Sequence, residues 1–271
     1  MAKAYYALVA GLPDLLLDEG RVQYGSREFR EDLLHVMSEG HYQQIQALFY
    51  PHDNRNLLAL LEQGSEVALD PLGNFSREEL EEEIRSPGLL PAYMGAFIEE
   101  YRSGVRASDG LGHADRIASL MYSDLLTPGT GLPGGFVREW LEFDRELRNV
   151  LTALACRSLD RQAAGVLVGD GFVVESILRA NSGDFGLGRE LPWLERLLQL
   201  YQGSDLLVRE RGIDEIRWEH VEQLTTFEYF TVHKVAAYVV LLGIAERWMA
   251  LDETVGREMF NRIMQDLESG F

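Results

Sequence analysis

Apolar residues recur every three or four positions through most of the chain, the period of a helix with one buried face. Ser26 opens a segment with Phe29, Leu33, Val36 and Met37 on one face, and Gly40 stands where a C-terminal cap belongs. Tyr42, Ile45, Leu48 and Phe49 make the next stripe, which Pro51 should end. Asp53 can cap a helix over Asn54–Gln63, with Gly64 closing it. Ser76-Arg-Glu-Glu79 has capping-box spacing ahead of Leu80-Glu-Glu-Glu-Ile84, and Pro91 starts Ala92–Arg102.

The clearest helix follows the glycine-rich loop Thr127–Gly135. Phe136, Trp140, Phe143, Leu147, Val150, Leu151 and Leu154 form one long stripe, which needs partners at several levels of a bundle. Further helices are predicted over Val173–Ala180, Trp193–Tyr201, Asp205–Leu224, Tyr229–Met249 and Asp252–Glu268. Only Tyr5–Leu12 and Val166–Val168 are compatible with strands. The expected fold is therefore mainly all-α, a multi-helix bundle with at most a short strand or two. It reads as one helical domain over residues 1–271. The loops near Gly104–Gly112 and Thr127–Gly135 suggest boundaries, giving candidate lobes 1–104, 113–224 and 225–271.

Composition narrows the function classes. The 271 residues carry 25 basic and 44 acidic side chains, a formal net charge of −19. That field argues against nucleic acid, whose binders need Lys and Arg to release counterions, and against anionic lipid. All but two of the basic residues (Lys3 and Lys234) are arginine, a bias that base composition alone could produce. Cys156 is the one cysteine, so an internal disulfide is excluded and a reducing compartment fits. Met1–Ala10 has a weak signal-peptide character, but Pro13 and Asp14 interrupt it, and it reads as a buried first element. The longest strongly apolar run, Val235–Ala245, is about half the ~20 residues that a membrane span needs.

Candidate chemistry is sparse. None of the six histidines stands at a metal-ligand spacing. Cys156 follows Ala153-Leu-Ala and reads as core. The glycine stretches 129–135 and 169–171 lack the Gly-Lys-Ser/Thr end of a phosphate loop and read as connectors. Glu78–Glu83 reads as a solvated acidic face rather than a catalytic acid pair.

One echo stands out. Asn56-Leu-Leu-Ala-Leu-Leu61 returns as Asn149-Val-Leu-Thr-Ala-Leu154, with Arg55 and Arg148 just before each asparagine. A buried amide needs several hydrogen bonds, so Asn56 and Asn149 are candidate anchors for helix docking, with Arg55 and Arg148 pairing to nearby acids. A weaker echo lies at Ile244–Leu251, which contains Glu246 and Arg247.

Three stretches carry a resemblance: Tyr5–Asp14, His52-Asp-Asn-Arg-Asn-Leu-Leu58 and Trp140–Leu151. With Asp184-Phe-Gly-Leu187 and Phe230–Val235, they resemble a bacterial family of formally unknown function encoded among the components of V/A-type ATPases. That family is similar to a divergent form of the C-type component of the ATPase, whose eukaryotic counterpart is known as the d-type. The resemblance implies three related helical units forming a funnel, each with an acid shortly before Asn-Leu and an apolar run. Asp53 with Asn56-Leu57, and Glu142 or Asp144 with Asn149-Val150, match it. In the third unit Tyr238 and Glu246-Arg247 match in part, and Trp248-Met249 stand in place of Asn-Leu.

The resemblance implies no catalysis and no cofactor. It implies a rotor adaptor that joins the membrane rotor ring to the central-stalk subunits. The protein would then be cytoplasmic and held peripherally at the inner membrane through the complex. Glu246 and Arg247 join Arg55, Asn56, Arg148 and Asn149 as suspected structural anchors. Two other readings stay open: an assembly or regulatory protein of the same ATPase, and an enzyme with an unrecognised helical site.

Overall fold

Some helix ends follow the caps that the sequence supplies. The computed structural model describes residues 5–17, 24–104, 111–129 and 131–251. Among them the regular elements are helices, and none is a strand. They are α1 (Tyr6–Ala10), α2 (Ser26–Val36), α3 (Glu39–Ile45), a 3-10 turn (Gln46–Phe49), α4 (Tyr50–Gln63), α5 (Arg77–Arg85) and α6 (Ala92–Ser103). After these come α7 (His113–Leu126), α8 (Phe136–Ser158), α9 (Phe172–Arg179), α10 (Leu194–Gln202), α11 (Leu206–Leu224) and α12 (Val232–Leu251).

The capping box forms in full: Ser76 accepts from the Glu79 N–H, and Glu79 accepts from the Ser76 N–H. Gly64 closes α4 at φ +87°, a conformation that glycine takes without Cβ strain. Several local expectations fail for definite reasons. Pro51 does not end a helix. It sits in the first turn of α4, where its missing N–H has no helical partner to lose. Asp53 is therefore inside α4 rather than at its cap, and Gly40 lies inside α3.

Helix α7 falls where no helix is expected, yet Ile117, Met121, Tyr122, Leu125 and Leu126 bury one face of it. The strand-compatible Tyr5–Leu12 is partly helix α1, and Val166–Val168 is loop. Of the stretch Met1–Ala10 expected to be buried, residues 1–4 lie outside the described residues, Tyr5 is buried, and no residue of α1 is. The helix expected over Asp252–Glu268 lies outside the described residues.

The chain divides into two compact units: Glu39–Ile213, and a second that joins residues up to Ser38 to those from Asp214 onward. In the first, α7 packs against α4, α6 and α8; α5 contacts α4 and α6; α9 lies on α8. Leu57, Leu80, Met94, Ile98, Ile117, Leu147 and Val150 are closed to solvent there. Each such side chain contributes about 1.5–3 kcal/mol.

Glu83 joins this interior, so the acidic run of α5 is not simply a solvated face. Its carboxylate is fully buried and accepts the N–H groups of Gly88, Leu89 and Leu90 at 2.9, 2.8 and 3.1 Å. In the second unit α2 packs on α12, and Phe29 meets Tyr238 edge-on at 4.9 Å. Trp218, Ile244 and Ala245 form a further cluster with Leu15, Leu17 and Trp248 against it. No helix among the described residues is long and apolar enough to cross a membrane.

Candidate functional site

An asparagine amide offers a donor and an acceptor side by side, the pattern needed to hold both polar groups of one peptide residue. Asn56 uses both. Its Nδ2 donates to the Asp70 carbonyl at 2.9 Å, and its Oδ1 accepts the Asp70 N–H at 2.7 Å. Asn149 does the same to Val168, at 2.9 and 2.8 Å. Each grip fixes to a helix the loop that follows it. The sequence suggests helix docked on helix; the partner in both cases is loop backbone. Asn149 and Val168 are almost wholly buried, so these bonds form away from water.

Around the first grip the chemistry is dense. Asp53, fully buried one turn before Asn56, accepts from Asn74 Nδ2 at 2.7 Å and from the Phe75 N–H at 3.1 Å. Gly73 passes so close that a Cβ there would lie 2.7 Å from Asn56 Nδ2 and 2.8 Å from Asp53 Oδ1. The Asp70 carboxylate receives Arg55 Nη2 at 2.9 Å, lies 2.7 Å from His52 Nδ1, and accepts the Leu72 N–H at 3.0 Å. Burial alone would raise this carboxyl, but the Arg55, His52 and Leu72 hydrogen bonds outweigh it and pull it down to about 2. Tyr50 moves the other way, to about 12, through burial and then the negative charges of Asp53 and Asp124.

The second grip has a simpler setting. Arg148 pairs with Asp115 at 2.5 Å, and Tyr122 donates to Asp144 at 2.5 Å. Gly169, at φ +80°, places its backbone under Arg145. Beside Asn149 a cavity of about 290 Å³ is lined by Arg145, Glu146, Phe172, Glu190 and Leu191 among others. Burial raises the Glu146 carboxyl; Arg145 opposes the rise and Glu142 adds to it. That wall carries two carboxyl groups, Glu146 and Glu190, and no Ser, Thr, Cys or His side chain.

Glu246 and Arg247 lie in the other unit and hold different things. Glu246 accepts the Ser26 N–H at 2.7 Å, so it satisfies a free donor at the start of α2. Arg247 donates to the almost wholly buried Asp214 at 2.8 Å, joined there by Arg217 at 2.9 Å and the Trp248 indole N–H at 2.9 Å. Of the six suspected anchors, Asn56 and Asn149 make matching grips, while the arginines differ: Arg55 pairs with Asp70, the residue that Asn56 holds, and Arg148 with Asp115, away from Val168. Asp53, Asp70, Asn74, Glu83 and Asp214 are anchors that sequence reasoning misses. Only Asp53, in the first echo, carries any signal.

Cys156 is half-buried, and no group of His, Cys, Asp and Glu among the described residues is arranged to hold a metal ion. No curated protein and no solved structure matches the chain. One family model, described as a protein of unknown function, matches residues 1–271 from end to end. By that end-to-end match the chain belongs to the uncharacterised family DUF2764.

Proposed function

We propose that this chain is a non-catalytic subunit of a V/A-type ATPase, acting as a rotor adaptor between the membrane ring and the central stalk. The observation that carries the reading is the recurrence of the asparagine grip, Asn56 on Asp70 and Asn149 on Val168. Recurrence of one device on two helices is what the resemblance to a protein of repeated helical units implies.

A rotor adaptor has to carry lateral load without its helices sliding. Apolar packing resists separation but tolerates slip between similar side chains. A two-point hydrogen bond has one register and loses both bonds if the loop shifts by a residue. Grips of this type would stiffen α4 and α8 against their own loops. The formal charge of −19 suits basic docking surfaces on the ring or stalk and would speed and orient assembly.

The test is purification of the intact ATPase from cells expressing the tagged chain, with a pulldown by separate ring and stalk subunits at low salt. Stoichiometric copurification supports the adaptor. Substoichiometric, transient capture points instead to an assembly or regulatory protein, and no binding to either at low salt overturns the reading.

A further inference from the structure

Helix α1 and the α11–α12 turn place apolar and aromatic side chains in solvent. Helix α1, Tyr-Ala-Leu-Val-Ala, is wholly apolar and buries none of its residues. Its Tyr6 is 63% exposed and lies over Phe230, ring centres 4.6 Å apart. The Tyr5 N–H donates to the Phe230 carbonyl at 2.8 Å, which ties this segment to the turn. In the same turn Phe227 is 86% exposed and Tyr229 66%. A fold gains nothing from large rings held in water, and such patches mark interaction surfaces.

The charged residues within these two stretches are acidic, although Lys3, Arg217 and Lys234 stand just outside them. From Trp218 to Val232 the chain carries Glu219, Glu222 and Glu228 and no Lys or Arg. His220 adds no positive charge near neutral pH, since burial lowers it to about 4. From Tyr5 to Leu17 the one charged residue is Asp14. Lys234 is the nearest cation along the chain beyond the turn.

We infer that this aromatic turn docks a basic amphipathic helix of a partner protein. Its apolar face would cover Tyr6, Phe227, Tyr229 and Phe230. Its Lys or Arg side chains would meet the glutamates and lie against the ring faces. A second copy of this chain brings the same −19 and is repelled. An anionic membrane is repelled likewise. The inference does not need the ATPase reading, and a failure of either leaves the other standing.

The probe is a pair of synthetic amphipathic helical peptides with one shared Leu/Phe face and either Lys/Arg or Glu on the other face. Binding to the whole protein is followed by fluorescence anisotropy. The basic peptide should bind and the acidic one should not. Phe227→Ser with Tyr229→Ser should weaken binding about tenfold or more, the scale of an interface hot spot. Glu222→Lys should do so by reversing a charge, though it also removes the acceptor of the Trp218 indole N–H, while Leu207→Ser, on an exposed apolar side chain of the other unit, should not. The inference is overturned if both peptides bind alike or neither binds. Undiminished binding in the Glu222→Lys variant also overturns it, whether or not the double variant folds. So does a dimer, or adhesion to neutral phosphatidylcholine vesicles, that the aromatic variants abolish.

Discussion

Asn56 and Asn149 make the same grip. Each amide holds the N–H and the C=O of a single loop residue, fourteen residues on in one case and nineteen in the other. The matching geometry accompanies matching sequence, an Arg-Asn pair ahead of an apolar helical run. The two sites differ in exposure: Asp70 is half-buried, whereas Val168 is buried. Their response to mutation should differ accordingly.

Replacing Asn149 with Leu keeps the volume and removes both bonds. The Val168 N–H and C=O are then orphaned in a dry site, at a cost of roughly 2–4 kcal/mol. Asn56→Leu should cost less, because water reaches Asp70. Urea unfolding of both variants measures the difference, and an unchanged midpoint for Asn149→Leu would show that its two bonds add nothing.

Gly73→Ala tests the packing of the first grip. The new methyl would fall within 2.8 Å of both Asn56 and Asp53, so the loop has to move. We expect faster amide hydrogen exchange at Asp70 and Phe75, with the Val168 amide unaffected. Equal protection at all three would show that the loop absorbs a methyl freely.

Glu83→Ala should rank among the most damaging single changes. It strands three N–H donors, of Gly88, Leu89 and Leu90, at a cost of about 3 kcal/mol or more. Glu83→Gln keeps one acceptor oxygen and should recover part of the loss in a thermal melt.

Two pH windows follow from shifted groups. His220 is held near 4 in the fold against an ordinary 6.5, so the unfolded chain takes up its proton first. Burial therefore imposes no penalty above pH 6.5, an increasing one as pH drops toward 4, and no further change below that. Asp70 is held at about 2 against 3.8, so its stabilising share is whole above pH 3.8 and is lost as pH falls toward 2. Partial exposure makes both effects modest. Unfolding midpoints against pH should flatten over the upper window in His220→Gln and over the lower one in Asp70→Asn. If each variant keeps the wild-type profile in its own window, these residues do not set the pH dependence.

Much of this architecture is legible in the sequence. Ser76 and Glu79 announce their helix start, and the stripe from Phe136 to Val150 announces α8, because caps and periodicity are local. Helix α7 is harder to see although Ile117, Met121 and Leu125 keep its period, because glycine-rich loops flank it on both sides. Pro51 misleads because a proline reads the same whether it ends one helix or begins the next. Asn56 and Asn149 are visible as anchors, yet their partners Asp70 and Val168 are not. A hydrogen bond to backbone leaves no mark on the side chain of the residue held. Glu83 is hidden for a related reason: one buried carboxylate in a run of exposed ones looks the same in sequence.

The division of the chain has a kinetic consequence. Residues Glu39–Ile213 are continuous, so their unit can close as soon as they have been synthesised. The other unit joins α2 to α12, which come from opposite ends of the described chain, and Phe29 must wait for Tyr238. Such distant closure is slow. The inserted unit should therefore become protease-resistant first on refolding. The unit that carries the aromatic turn would be completed last, so the surface built from α1 and residues 227–230 would exist only on a finished molecule.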